Sequence, residues 1–233
     1  MNTYKEQKII RTVYADLNGD GNKEKIVLSG IPVEKDCNHI ESLGLMIEFD
    51  SGMKKEFNLQ EKGIGFNIFA VNVTHSDTEE ILLVGNYNKN GAFDTIRIFN
   101  YENDDLKVLF DSQSFSQKMN YDITYLDNYK IEITCKNTNE QYLLDISNEC
   151  KGYLINNYGE NGEVINENNR DIIFSVDNVF PVKLPNNDYY SLMIQQGFRL
   201  KDYTDNIGGL QTLVDISYAG DLTILDQYLM TKA

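Results

Sequence analysis

Ile, Val, Leu, Phe and Tyr recur along the chain in short runs that alternate with polar residues, and Asn, Asp and Gly interrupt them about every ten residues. A period of two places alternate side chains on one face of a strand, and the interrupting residues are those that turn a backbone tightly. The pattern predicts strands near 9–15, 24–30, 43–50, 54–60, 66–73, 80–87, 93–101, 106–110, 119–126, 129–136, 140–147, 172–184, 189–199, 210–218 and 222–230. The stretch "TYLDNYKIEIT" shows the rule: Ile123 and Tyr125 alternate before Asp127-Asn128, and Ile131 and Ile133 alternate after it, as a hairpin requires. "LVDISYAGDLTIL" likewise predicts a turn at Ala219-Gly220-Asp221. Residues 150–168 break the rhythm. Rich in Asn and Gly, they predict a long surface loop with one short helix or strand at Gly152–Asn156.

The strands repeat. Shifted by 56 residues, Ile10 falls on Phe66, Val13 on Phe69, Glu24 on Glu80, and Ile26-Val27-Leu28 on Leu82-Leu83-Val84. A fainter echo, "VFPVKLPNNDYYSLMIQQG", again reads strand, polar turn, strand, with Asn186, Asn187 and Asp188 in the turn. Four-stranded units recurring at this length are the pattern of propeller blades. The expectation is one all-β, propeller-like domain over 1–233 with four or five blades and approximate repeats 9–60, 66–110, 119–168 and 172–230. A β-sandwich is the alternative architecture.

Composition narrows the function classes. With 41% hydrophobic and 24% charged residues the chain is that of a globular protein, and 21 basic against 36 acidic residues give a net charge of −15. That excess repels phosphate backbones and anionic lipid surfaces, so neither nucleic acid nor membrane insertion is expected. The three cysteines, Cys37, Cys135 and Cys150, are too few and scattered for a zinc site or a disulfide framework, although Cys135 and Cys150 could pair. The opening "MNTYKEQK" has no apolar signal core, so any export signal is expected to have been removed.

One motif carries candidate chemistry. In "DLNGDGNKE", Asp16, Asn18, Asp20 and Glu24 stand at loop positions one, three, five and nine, all with hard oxygen donors. Gly21 permits the reversal that would bring them onto one centre, and the carbonyl of Asn22 adds a donor; such a set suits calcium. An EF-hand would need a bidentate Glu where Val27 stands, and helices where the flanks are strand-like. The stretch resembles the calcium loop of the FG-GAP and VCBS repeat families, D-x-[DN]-x-DG-x-x-[DE], with Asp16, Asn18, Asp20, Asn22 and Glu24 on the ligand positions and Gly21 on the turn glycine. The FG and GAP signatures themselves are missing apart from a loose "GIGFNIFAV". The resemblance implies a propeller with one structural calcium ion, secreted or attached to the cell surface, in the manner of a lipoprotein. It also implies a non-enzymatic binding or scaffold module that recognises a protein or glycan. The second copy keeps oxygens at Asn72, Thr74 and Ser76 but loses most of the charge. Without any metal, Asx-rich turns also bond their own backbone.

Other chemistry is sparse. No nucleophile elbow, zinc-protease helix, P-loop or dinucleotide fingerprint is present, and His39 and His75 both lie in polar stretches that read as surface. The competing function is a polysaccharide-acting enzyme using paired carboxylates, for which 36 acids offer many pairs and no preferred one. Tyr189-Tyr190, Tyr121 and Tyr125 could line a sugar or peptide cleft, although tyrosines in strands more often pack. A binding module is favoured over an enzyme.

Overall fold

Alternating apolar positions need a partner layer, and the chain supplies it by folding back on itself at nearly every polar cluster. The computed structural model describes residues 6–35, 37–86, 94–166, 172–200 and 206–231. Positions 87, 93 and 167–168, where predicted strand and loop ends fall, lie outside the described residues.

Four antiparallel sheets follow one another along the chain. The first runs β1 (Lys8–Ala15), β2 (Glu24–Pro32), β3 (Ile40–Glu48), β4 (Lys54–Asn58), and the second β5 (Ile64–Val71), β6 (Glu80–Asn86), β7 (Asp94–Glu102), β8 (Asp105–Asp111). After helix α1 (Ser112–Lys118) comes a three-stranded sheet of β9 (Tyr121–Leu126), β10 (Lys130–Cys135) and β11 (Glu140–Asp145). Helix α2 (Lys151–Asn157) precedes the last sheet, β12 (Ile172–Val182), β13 (Ser191–Leu200), β14 (Asn206–Ile216) and β15 (Leu222–Thr231). In each sheet the strands stand in chain order, joined by hairpins. The fold is all-β.

The first two sheets are built to the same register. Val13 pairs with Ile26 and Ala15 with Glu24; 56 residues later Phe69 pairs with Leu82 and Val71 with Glu80. Period-two alternation then sorts the second sheet into two faces. Ile81, Leu83 and Phe99 join Ile26, Leu28, Leu45 and Ile47 of the first sheet in a buried core, which leaves Leu82, Val84 and Ile96 on the opposite face.

The chain divides into two compact units. One comprises 1–112, 178–193 and 214–223, and contains the core just described; the other comprises 113–177, 194–213 and 224–233. The second unit has its own core, in which Tyr125, Ile131, Ile133, Leu144 and Tyr153 surround fully buried Phe198 and Leu210. The expected closed propeller of four or five blades is corrected to four open sheets of three or four strands, an all-β arrangement consistent with a sandwich-like fold. Strand alternation specifies a meander and the inner face of each sheet; it carries no information about whether successive sheets close a ring.

Candidate functional site

The turn at 16–24 is closed by its own amides. Asp16 accepts the Gly19 N–H at one carboxylate oxygen and the Gly21 N–H at the other, at 2.8 and 2.9 Å. Asn18 Oδ1 accepts the Asp20 N–H, and Asp20 Oδ1 accepts the Asn22 N–H. The Asn22 amide first, and the Asn18 Nδ2 donating to Asp20 Oδ2 next, hold the Asp20 carboxyl below its ordinary value. Gly19 and Gly21 take φ of +75° and +87°, the left-handed region that the reversal requires.

Glu24 does something different. It is buried, and its Oε2 accepts the Leu17 N–H at 2.8 Å across the base of the turn. In the second copy Glu80, also buried, accepts the Val73 N–H at 2.8 Å and the Thr74 hydroxyl at 2.5 Å. Burial raises both carboxyls above the ordinary glutamate value, against the lowering effect of these hydrogen bonds. The ninth position is therefore a buried carboxylate that fastens the turn to the backbone, whether or not the loop before it is acidic.

The same loop holds the residues of the calcium expectation. Asn18 directs its Nδ2 donor at Asp20 Oδ2, 3.0 Å away, and at Glu24 Oε1, 3.4 Å away, so a donor stands among the oxygens that a cation would need to gather. Among the described residues no group of three or more His, Cys, Asp and Glu is arranged to hold a metal ion. As placed, these side-chain oxygens accept the N–H groups of the turn.

One concave feature of the first unit lies elsewhere, on the face of the second sheet opposite the core. A groove of about 610 Å³ is floored by Val71, Leu82, Val84 and Ile96 and closed on its far side by Asn178 to Pro181 and Tyr190. Phe69, Phe180 and Tyr190 line it, residues 40%, 41% and 36% exposed, which makes them walls and not core. Asn86 and Asn178 are the amides on its lining. No carboxylate or imidazole lines it among the described residues. Lys183 Nζ stands 5.9 Å from the centre of the Tyr190 ring.

Of the tyrosines singled out in the sequence, Tyr190 reaches the groove, and Tyr189 stacks on His75 beside it, with centroids 3.2 Å apart. Tyr121 and Tyr125 pack instead. Tyr121 stacks on Phe174 and donates to Gln196, while Tyr125 is buried with its hydroxyl 2.8 Å from that of Tyr153. The cysteines are free thiols, with Cys135 buried and Cys150 exposed. Sequence reading missed Phe69 and Phe180, since a Phe on an alternating strand gives no sign that it stays partly exposed.

A family model described as the YybI C-terminal domain matches residues 119–230. The uncharacterized protein YybI of Bacillus subtilis (strain 168) is 23% identical over 211 residues, which is 88% of this chain and 79% of that protein. Among solved structures, Bacillus licheniformis rhamnogalacturonan lyase PL11 is similar over 96% of this chain and 34% of its own, at 13% identity and a TM-score of 0.41. Rhamnogalacturonan lyase YesW is similar over 97% and 35%, at 14% identity and a TM-score of 0.42. The chain spans about a third of the length of these lyases, and at such scores the likeness carries no conclusion about activity.

These comparisons correct the FG-GAP/VCBS resemblance. The matching family is that of the YybI C-terminal domain, its match begins at residue 119, and the integrin-type, propeller and calcium-binding expectations lose the support they drew from residues 16–24. The physical reason is local. Any tight strand–turn–strand must satisfy its turn amides, and Asp and Asn do so at short spacing, with Gly allowing the reversal, without common descent.

Proposed function

We propose that this chain is a non-catalytic polysaccharide-binding domain that holds a neutral glycan strand in the groove of its first unit. The observation that carries the reading is the lining: three partly exposed rings, Phe69, Phe180 and Tyr190, with Asn86 and Asn178 among them. Sugar rings present apolar C–H faces edged by hydroxyls, so aromatic walls bury the faces while side-chain amides bond the edges. Glycan cleavage by an acid–base pair would require carboxylates flanking the bond, and the described lining offers none. The net charge of −15 disfavours a polyanionic strand, which makes an acidic polymer such as rhamnogalacturonan the natural comparator to a neutral one.

Titration calorimetry with neutral and acidic polysaccharides tests this. Tyr190→Ala and Phe180→Ala are each expected to weaken the neutral ligand about tenfold, the effect of losing one stacked ring, with the melting temperature unchanged. Affinity unchanged from the unaltered protein in both variants, or tighter binding of the acidic polymer, would contradict the reading.

A further inference from the structure

Tyr190 is a groove wall that precedes the regular part of β13, so something outside the strand ladder must hold it. Three consecutive residues are tethered there. The ring of Tyr189 stacks on His75 at an interplanar angle of 20°, the Tyr190 N–H donates to the Asn72 carbonyl at 2.8 Å, and the Ser191 hydroxyl donates to Asp215 Oδ1 at 2.5 Å. The other oxygen of Asp215 stands 3.9 Å from His75 Nε2. His75 and Asn72 both belong to the turn between β5 and β6, while Asp215 is on β14.

That turn is shaped for the task. His75 has φ of +61°, a left-handed conformation that His and Asn adopt more readily than most residues, and its side chain is 39% exposed. Asn72 Nδ2 bonds the Ser76 carbonyl within the turn, which leaves the Asn72 main-chain carbonyl for Tyr190. The first turn does the same thing one sheet earlier, where the Asp16 carbonyl accepts the Glu79 N–H at 2.7 Å. Each turn thus offers a main-chain carbonyl on which a later stretch of chain docks.

From this geometry we propose that His75, bracketed by Tyr189 and Asp215, is a positioning residue that sets the Tyr190 wall for the ligand. The proposal rests on the glycan-binding reading for its consequence, and on the three tethers alone for its mechanism. None of the tethering side chains lines the groove, so their effect on ligand is exerted through Tyr190.

Two readouts on the whole chain separate mechanism from consequence: amide hydrogen exchange at Tyr190 without ligand, and affinity for a neutral oligosaccharide. His75→Asn tolerates the left-handed backbone but has no ring to stack, and Tyr189→Ala removes the other ring; Tyr189→Phe keeps the stack. The first two should speed exchange at Tyr190 about tenfold and weaken the oligosaccharide by a similar factor, whereas Tyr189→Phe behaves as the unaltered protein. Unchanged exchange in His75→Asn and Tyr189→Ala overturns the positioning role. Faster exchange with undiminished affinity overturns its consequence for ligand. If the unaltered protein binds no oligosaccharide, the glycan reading fails, and the exchange arm still decides whether His75 sets the wall.

Discussion

Glu24 and Glu80 carry the same side chain to the same place, and only their surroundings differ. Both are buried, both accept an amide from the residue seven positions earlier, and one follows an acidic loop while the other follows hydroxyls. A position that reads as a metal ligand from spacing alone is thus occupied by a group that also closes a turn. The sequence showed that these two residues are equivalent, through the 56-residue offset; it could not show that their partner is a backbone N–H, because a carboxylate at the end of an Asx-rich turn serves either purpose. Replacing Glu80 by Ala should strand the buried Val73 N–H and leave the Thr74 hydroxyl only its Ser76 partner, at about 1–3 kcal/mol in all. Denaturant melts should therefore place Glu80→Ala well below the unaltered protein; a midpoint shift near zero would mean that water reaches both donors.

Strands were the most legible elements, since alternation and turn residues are local signals and each strand falls within a few residues of its predicted place. Helix α2 was half-visible as the break at Gly152–Asn156. Helix α1 was not, because "SQSFSQK" buries a single apolar side chain, Phe115, and so shows no period at all. The faces of a strand are harder to read than its ends. On β6 the alternation sends Ile81 and Leu83 to the core and Leu82 and Val84 to the groove, yet both sets are equally apolar. Gly85 marks where β6 meets Phe66: a Cβ there would collide with the ring, so the ring lies over the strand only because this residue is Gly. Gly85→Ala is expected to force the ring aside, cost about 1–3 kcal/mol and disturb the adjoining groove. Thermal melts would show the loss, and a fully retained melting temperature would show that Phe66 has room to move.

The units explain why the groove itself was not legible. The first is assembled from residues 1–112 with 178–193 and 214–223, so a groove wall at Phe180 and Tyr190 comes from a segment about a hundred residues away from its floor. Spacing along the chain does not report such a meeting. Charge acts on the molecule as a whole. Burial holds Glu24, Glu61 and Glu80 above the ordinary 4.5, so the folded chain binds more protons than the unfolded one there, and stability falls as pH rises from 4.5 through their folded values. Glu48, held down by Lys54, Asp104 by the Tyr101 hydroxyl and Asp145 by the Ser147 hydroxyl act in the opposite sense, and lose their contribution as pH drops through their lowered values. Relief of the −15 self-repulsion on acidification adds to the first effect. Melting temperature should therefore peak near about pH 5 and fall on both sides. A steady rise toward pH 8 would reverse the assigned balance. The reading of the molecule as a glycan binder is met most directly by a crystal structure of the whole chain with a neutral oligosaccharide. The account predicts sugar rings stacked on Tyr190 and Phe180 in the groove floored by Leu82, Val84 and Ile96. An oligosaccharide bound away from those rings, with the groove bare, would contradict it.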